Sequence, residues 1–304
     1  MRTRRTIDVI LDMDGPPPSE GVLNLDKPPG LTSRDVVNRV ARLLPRKVKA
    51  GHAGTLDPLA TGVLVICVGP ATRLIEYIQR MGKTYRSTFR LGARSDTHDV
   101  DGVVVPADDP RVPDLAEIEA ALASQVGVVE QLPPAYSALK IEGRRAYDLA
   151  RAGEAVVLAP RPVRIDEIRV LGYEWPRIDV EITCGGGTYI RSIARDLGEA
   201  LGCGAIMEAL ARTRIGVFSQ EEAVAVDDLD RDTLGQFLRP SLDAVAGLPR
   251  VTLDDAALAD VRLGRKVPGD AEAGAEVALV DAEGRLVALG EADGRLVQPR
   301  KVLA

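Results

Sequence analysis

The spacing of apolar residues divides most of the chain into short strands and helices. The segment LTSRDVVNRVARLL places its valines and leucines on one helical face, its arginines lie elsewhere, and Thr32 or Ser33 can cap the helix start. The apolar run GVLVICVG (62–69) predicts a buried strand, and KTYRSTFRLG (83–92) alternates like a strand with basic residues on one side. DLAEIEAALASQVG (114–127) predicts a helix that its last glycine ends.

The second half of the chain continues this alternation and then changes character. VRIDEIRVLGYEW and RIDVEITCGGGTYI predict two strands, and IRSIARDLGEALG (190–202) predicts an amphipathic helix. After about Gly247, acid-glycine turns join three short apolar runs, which predicts a small antiparallel barrel or sheet. We therefore expect an α/β (α+β) fold with a domain boundary near 248. Residues 1–20 carry three consecutive prolines near their end, at 16–18, and are expected to form a flexible extension.

Composition restricts the class of protein. The chain has 304 residues, of which 45% are hydrophobic, enough for one large domain and one small one. No apolar run approaches the roughly 20 residues of a membrane span, and the first residues lack the apolar stretch of a secretory signal. Three cysteines (67, 184 and 203) without metal-ligand spacing favour a reducing, cytoplasmic location. With only two histidines, His52 and His98, a histidine-based zinc site is not expected.

Charge is distributed unevenly. The net charge of −6 argues against a nucleic-acid partner, but the segment from Leu31 to Arg94 holds 12 Lys/Arg and 3 Asp/Glu. From Val217 to the end there are 10 Lys/Arg and 17 Asp/Glu. The basic segment can attract a polyanion whatever the charge of the whole chain, although solvated helix faces explain it equally well.

The stretch GHAGTLDPLATGVL (51–64) isolates one acid, Asp57, among glycines and small residues. Pro58 restricts the backbone beside it, and the glycines allow a ligand to approach the main chain closely. A turn before a strand is the simpler interpretation. A phosphate-binding loop is disfavoured because the GK[ST] ending is missing.

Three further segments carry candidate chemistry. GGGTYIRS (185–192) leads into the predicted helix, where main-chain N–H groups can hold a phosphate. Tyr85 lies between Lys83 and Arg86, an arrangement suited to stacking on a base while the cations meet phosphates. SDTHDVDG (95–102) does not complete a calcium loop and is interpreted as a turn with a polar network.

Taken together, these segments closely resemble the bacterial tRNA pseudouridine synthases of the TruB family. The resemblance is carried by DKPPGLTS, GHAGTLDPLATGVLVICVGPATRL, KTYRSTFRLGARSDTHDVDG, PPAYSALKIEGRRAYDLAR and GGGTYIRSIARDLGEALGCGA, in this order and spacing. It is strong over residues 21–216 and weaker towards the C-terminus.

The resemblance implies an architecture and an activity. The catalytic domain, residues 21–248, would have a mixed, largely antiparallel sheet with flanking helices and an RNA-gripping insertion at about 133–160. Residues 249–304 would form a PUA-like RNA-binding β-barrel. The family converts the uridine at tRNA position 55, in the T loop, to pseudouridine, with no metal and no organic cofactor. A monomer with no obligate protein partner and no contact with a membrane is expected.

The resemblance also implies roles for individual residues. Asp57 would be the nucleophile, with attack at C1′ of the ribose or at C6 of the base left open, and Arg191 would keep it ionised. Tyr85 would stack on the flipped uracil and is a candidate to accept the C5 proton, and His52 would occupy the space left in the RNA stack. Tyr189 and Leu210 would line the uracil pocket, and Lys27 would support the active-site loop or a phosphate. Candidates for contact with the RNA backbone are Lys83, Arg86, Lys140, Arg144 and Arg145.

Other interpretations stay open at this point. The basic segment also suits a tRNA-folding helper in which catalysis is secondary. A guide-RNA-dependent synthase of the dyskerin type shares the catalytic motifs, but the insertion favours the stand-alone branch. A glycosidase is disfavoured because no second carboxylate is spaced to activate water.

Overall fold

The structure, a computed structural model, describes residues 20–137 and 158–303, and between them only the backbone of 140–141 and 144–145. The predicted extension therefore lies outside the described residues except for Glu20, and the predicted insertion lies largely outside them. In the described part, no helix is long and apolar enough to cross a membrane.

The described helices are α1 Ser33–Leu43, α2 Ile75–Arg80, α3 Leu115–Ala123, α4 Ile190–Ala200, α5 Leu234–Phe237 and α6 Asp255–Arg262. The strands of the first half are β1 Gly21–Lys27, β2 Ala50–His52, β3 Thr61–Val68, β4 Lys83–Leu91, β5 Ala93–Ser95, β6 Val104–Pro106, β7 Gly127–Gln131, β8 Lys140–Ile141 and β9 Arg144–Arg145. Those of the second half are β10 Arg161–Glu174, β11 Arg177–Cys184, β12 Ala205–Ile215, β13 Phe218–Ser219, β14 Val224–Ala225, β15 Arg250–Thr252, β16 Val267–Pro268, β17 Glu276–Val280, β18 Leu286–Ala292 and β19 Leu296–Val302.

One large sheet forms the centre of the molecule. Its strands run in the order β14-β1-β3-β12-β4-β11-β10-β7, with β2 paired to β3 and β13 paired to β12. The pairs β1–β14 and β3–β12 are parallel and the other pairs are antiparallel. This confirms the expected mixed, largely antiparallel sheet.

Both faces of this sheet are covered, which explains the continuous apolar run of β3. Leu64, Ile66 and Val68 face a core shared with α1, α3 and α4, whereas Val63, Val65 and Cys67 face a second core. A strand buried on both faces has no polar position, so periodicity alone does not reveal its two sides. The predictions of a strand at 62–69 and of a capped helix after Leu31 are confirmed, and Thr32 provides the cap.

The predicted helix at 114–127 is wrong at its end. α3 begins after the Asp114 cap but stops at Ala123, and Gly127 opens strand β7 instead of ending the helix. The β-branched Val126 and Val128 suit a strand better than a helix, and Gly127 adopts a φ of +109°.

The C-terminal part forms a curled half-barrel of five strands in the order β15-β17-β18-β19-β16. Sequence periodicity predicted three strands, which correspond to β17, β18 and β19. The two short outer strands and α6 were missed because each carries too few residues to show a period. Among residues 250–303, no ladder joins the two edge strands of this sheet, β15 and β16, so the sheet is open. The domain boundary near 248 stays a prediction.

The half-barrel packs on the second face of the large sheet. Val280, Leu286 and Leu289 join the core that contains Val63 and Val65. Polar contacts from the 3-10 helix at 69–74 and from α2 complete the interface: Arg73 donates to the Val302 carbonyl and Tyr77 to the Glu276 carboxylate, while the Lys301 ammonium pairs with Glu76 at 2.6 Å. The site described below lies on the opposite face, where Tyr85 and Leu210 belong to the core shared with α1, α3 and α4.

Candidate active site

Asp57 lies on the loop that enters β3, and the start of α1 holds this loop in place. The Ser33 hydroxyl accepts from the Leu56 N–H at 2.8 Å and donates to the Leu56 carbonyl at 3.1 Å. Ser33 is itself buried, so both bonds are shielded from water. The residue beside Asp57 is therefore fixed to a helix that is 23 residues distant in sequence.

Lys27 supports the same loop from inside. Its side chain is fully buried, and its ammonium donates to the carbonyls of Pro28, Leu31 and Pro58 at 3.0, 2.7 and 3.3 Å. Burial lowers the pKa of Lys27 to about 8, while the nearby Asp57 charge raises it. Of the two roles expected for Lys27, this geometry favours support of the loop over contact with a phosphate.

Gly62 allows β3 and β12 to approach closely. It adopts a φ of +92°, and a Cβ built on it would lie 2.3 Å from the Arg212 carbonyl oxygen. Any side chain there strains the backbone and also collides with a main-chain atom that cannot move away cheaply.

We expect Gly62→Ala to lower the free energy of unfolding by at least about 3 kcal/mol, because strain and collision add. Gly30→Ala is the matched control, since Gly30 has a similar φ of +84° but no atom lies within 4 Å of the position that a Cβ would take there. The control should lose about 1 kcal/mol. Urea unfolding of both variants checks this, and equal losses would show that the close approach is not what selects glycine.

Asp57 forms an ion pair with Arg191, as the resemblance led us to expect. The Arg191 Nη2 lies 3.1 Å from Asp57 Oδ2, and the two side chains are 7% and 35% exposed. Arg191 lies in the first turn of α4, and it also donates to the carbonyls of Thr97 and Tyr136 at 3.1 and 3.0 Å. Its guanidinium is therefore fixed on several sides while the carboxylate of Asp57 faces the cleft.

A second carboxylate shares this guanidinium. Asp99 Oδ2 lies 3.3 Å from Arg191 Nη1, and Asp99 is buried. It comes from the segment SDTHDVDG, where the Asp101 N–H donates to Asp99 Oδ1 at 3.1 Å. The polar network expected in that turn is thus part of the site, a connection that sequence spacing did not show.

The pKa of Asp57 is raised, chiefly by burial, which penalises the charged form. The Arg191 charge opposes this shift, and the negative charges of Asp99 and Asp101 add to it. Arg191 therefore acts against desolvation to retain an ionised carboxylate in a cleft that disfavours one.

Strand β4 places Tyr85 and its two neighbouring cations differently from the prediction. Tyr85 is buried and lines the cleft, whereas Arg86 lies on the other face and pairs with Glu181 at 3.0 Å. Lys83 shares the face of Tyr85, but it is buried and its ammonium donates to the carbonyls of Gln79 and Met81 at 2.7 and 2.6 Å. The expectation of basic residues on one side of this strand holds for Arg86 and Arg90, which share a face, but not for Lys83, because strand positions two apart share a face and adjacent ones do not.

The other predicted pocket residues converge on the same cleft, which encloses about 850 Å³. His52, Tyr189 and Leu210 all line it, and Tyr136 joins them. Tyr189 caps α4, its N–H donates to Gln131 Oε1 at 2.8 Å, and the Arg161 guanidinium lies 5.2 Å from its ring centre. Residues far apart in sequence thus line one cleft, and the rings of Tyr85, Tyr136 and Tyr189 are among them.

The basic segment is divided between several environments. Arg34 lines the cleft, but Arg39 and Arg80 pair with the surface acids Asp227 and Glu76 at 2.6 and 3.3 Å. Only part of the positive excess is therefore free to meet a polyanion. The side chains of the remaining candidates for backbone contact, Lys140, Arg144 and Arg145, lie outside the described residues, although the backbones of β8 and β9 pair antiparallel.

Comparison with known proteins gives matches to one family over most of the chain. A model of the TruB family pseudouridylate synthase N-terminal domain matches residues 42–190, and one of the tRNA pseudouridylate synthase B C-terminal domain matches residues 191–245. The chain is 42% identical to tRNA pseudouridine synthase B of Thiobacillus denitrificans over 94% of this chain and 96% of that protein. It is 44% identical to the Gloeobacter violaceus protein of the same name over 83% of this chain and 88% of that protein.

Among solved structures, a Cbf5–Nop10–Gar1 complex contains a similar chain. The TM-score is 0.72 at 30% identity, covering 94% of this chain and 85% of that chain. The fold and the paired carboxylate in its cleft, together with these likenesses, define a pseudouridine synthase, which is an isomerase. The chain belongs to the TruB family.

Proposed function

We infer that this protein converts the T-loop uridine at position 55 of tRNA to pseudouridine, with Asp57 as the nucleophile. The observation that carries this proposal is the Asp57 carboxylate, held 3.1 Å from a buried guanidinium in a cleft that Tyr85 lines. The curated relatives named above are tRNA pseudouridine synthases, which supports tRNA as the substrate.

The reaction rearranges one nucleotide and needs no second substrate. The N1–C1′ bond breaks, the uracil turns, a C5–C1′ bond forms, the proton on C5 leaves and N1 gains a proton. A single carboxylate nucleophile suffices for this sequence. Attack at C1′ and attack at C6 both remain compatible with a carboxylate facing the cleft.

A base inside a folded loop must leave the stack before it can enter the cleft. Tyr85 offers its ring to the flipped uracil, and its hydroxyl is a candidate to accept the C5 proton. His52 lies at the same cleft, where an imidazole can stack and hydrogen-bond in the gap left in the RNA. Tyr189 and Leu210 add apolar surface that limits the access of water to an activated sugar.

The acid limb of the single-turnover rate should lie above the ordinary Asp pKa of about 3.9, because the nucleophile must be ionised and burial raises the pKa of Asp57. Ionisation of this buried acid also opposes folding, so the free energy of unfolding falls as pH rises through the raised pKa.

Asp101→Asn removes a charge that raises the pKa of Asp57, and it should move the acid limb of the rate to lower pH. Rates measured against pH in both proteins check this, and a limb that moves upward would refute the assignment.

The direct test of the activity uses an unmodified tRNA transcript and the purified protein alone. We expect pseudouridine at position 55 only, and none in a transcript that carries cytidine there. A requirement for an added guide RNA would instead support the dyskerin-type interpretation. The curated synthases quoted above are 42% and 44% identical to this chain and the similar chain of the Cbf5–Nop10–Gar1 complex is 30% identical, which favours the stand-alone enzyme.

Action as a monomer in the cytoplasm, and contact of the half-barrel with one end of the tRNA, remain part of this proposal. A tRNA-folding role beside catalysis predicts that Asp57→Asn still assists refolding of tRNA. Loss of binding in proportion to turnover in that variant would argue against the second role.

A further inference from the structure

Arg212 is a buried cation that the reaction described above does not use. It is 2% exposed, the largest fully buried side chain in the described part of the chain, yet it also lines the cleft. Within that part its guanidinium joins no ion pair, and it donates to three main-chain oxygens and forms a side-chain hydrogen bond with Tyr85. A buried charge without a carboxylate is costly, so its retention calls for a reason beyond packing.

The guanidinium fixes the loop of Asp57. Its Nε donates to the Val63 carbonyl at 2.8 Å, and its Nη2 and Nη1 donate to the carbonyls of Gly54 and Thr55 at 3.1 and 3.4 Å. The β3–β12 ladder contains only the pairs Ala211–Thr61 and Arg212–Gly62, so the side chain bonds a carbonyl just beyond the end of the ladder. A planar group with five donors can reach all three oxygens at once, which an ammonium cannot do with the same geometry.

The other side of Arg212 faces Tyr85. The two residues are direct partners in the antiparallel β12–β4 ladder, so their side chains project from the same face of the sheet. Leu210, two positions earlier on β12, projects from this face as well and lines the same cleft. Burial raises the pKa of Tyr85 and the Arg212 charge opposes that shift, which is consistent with their proximity.

We propose that Arg212 is a positioning residue that fixes the Asp57 loop and Tyr85 relative to each other, so that carboxylate and phenol act on the same flipped nucleotide. This inference rests on the proposed isomerase function. It assigns a role to a side chain that touches neither the carboxylate of Asp57 nor Arg191 in the ion-pair network. Because it acts through main-chain oxygens of the loop, its loss should alter the geometry of the reacting groups more than the affinity for RNA.

The test compares Arg212→Met and Arg212→Lys with the wild-type enzyme on an unmodified tRNA transcript. Titration of the transcript with each protein gives the Kd and the fraction of protein that binds tRNA. Single-turnover rates are then measured with enough protein to bind every transcript. A displacement of about 1 Å can cost roughly 100-fold in rate. We therefore expect Arg212→Met to react at least about 100-fold more slowly and Arg212→Lys about 10-fold more slowly, each with a Kd within about 3-fold of wild type.

Arg239→Met is the control for the loss of a partly buried arginine outside the cleft. Arg239 pairs with Glu222 and Asp243 at 3.1 and 2.7 Å and lies 5.1 Å from the Phe218 ring centre. This variant should lose stability but react at the wild-type rate once bound. If Arg212→Met does not fold, the lysine variant alone decides the question.

A double-mutant cycle with Tyr85→Phe tests the link between the two residues. If Arg212 acts through Tyr85, the combined variant should be clearly faster than the product of the two single effects predicts. Wild-type rates per bound complex in both Arg212 variants, or a Kd that weakens in proportion to the rate, would overturn the positioning role. Multiplicative effects would overturn the link to Tyr85. A wild-type enzyme that forms no pseudouridine would refute the proposed function, a distinct outcome.

Discussion

Asp57→Asn is expected to reduce pseudouridine formation by at least about 10⁴-fold, because removal of a covalent nucleophile leaves only binding and electrostatics to catalyse the reaction. The amide has the shape of the carboxylate, and Arg191 keeps its bonds to Asp99, Thr97 and Tyr136. The fold and the affinity for tRNA should therefore stay within a few-fold of wild type. Single-turnover assays with saturating enzyme, together with a binding titration, measure the two effects separately.

The control for this substitution is Asp227→Asn. Asp227 also pairs with an arginine, Arg39 at 2.6 Å, but its side chain is 78% exposed and does not line the cleft. Its loss should leave both rate and affinity unchanged. Substantial activity in Asp57→Asn would exclude Asp57 as the nucleophile, whichever atom of the nucleotide is attacked.

Arg191→Met should lower both stability and activity. The substitution leaves the buried Asp99 and the partly buried Asp57 without their cation, and removing one partner of a buried ion pair costs about 3–5 kcal/mol. Turnover should fall by at least about 10³-fold, because Asp57 loses both its orientation and the charge that lowers its pKa. Urea unfolding and single-turnover assays check the two parts.

A second substitution separates these two effects. Adding Asp99→Asn to Arg191→Met removes one uncompensated buried charge, so it should restore part of the stability without restoring activity. Arg191→Lys keeps a charge but cannot bond both carboxylates and both carbonyls in the same way, and it should be intermediate in both measurements. A double variant no more stable than Arg191→Met would show that the Asp99 contact adds little to the fold.

Local patterns in the sequence predicted the helices and strands in which apolar residues recur with a clear period. Helix α1, its cap at Thr32 and the buried strand β3 follow from local spacing and local hydrogen bonding. The end of α3 and the outer strands of the half-barrel do not, because competing strand propensity and very short length leave no period to detect.

The site shows a similar division. The resemblance to a family brought Asp57 and Arg191 together, although they lie 134 positions apart in the sequence (191 − 57). It did not point to Ser33, Asp99 or Arg212, whose hydrogen bonds and ion pairs connect segments far apart in sequence. The charge pattern made Lys83 a candidate for contact with the RNA backbone, and it does line the cleft, but its ammonium donates to the carbonyls of Gln79 and Met81. Charge on a strand is visible in the sequence, but the face and the partner of that charge are decided by tertiary packing.

The most direct test of the central claim is a structure of this protein bound to a T stem-loop RNA that carries 5-fluorouridine at the target position. We expect the target nucleotide to be flipped out of the loop, with its base against Tyr85 and with the Asp57 carboxylate facing C1′ or C6 while it remains paired with Arg191. A target base that stays stacked in the loop, or a carboxylate directed away from the nucleotide, would contradict the assignment of Asp57.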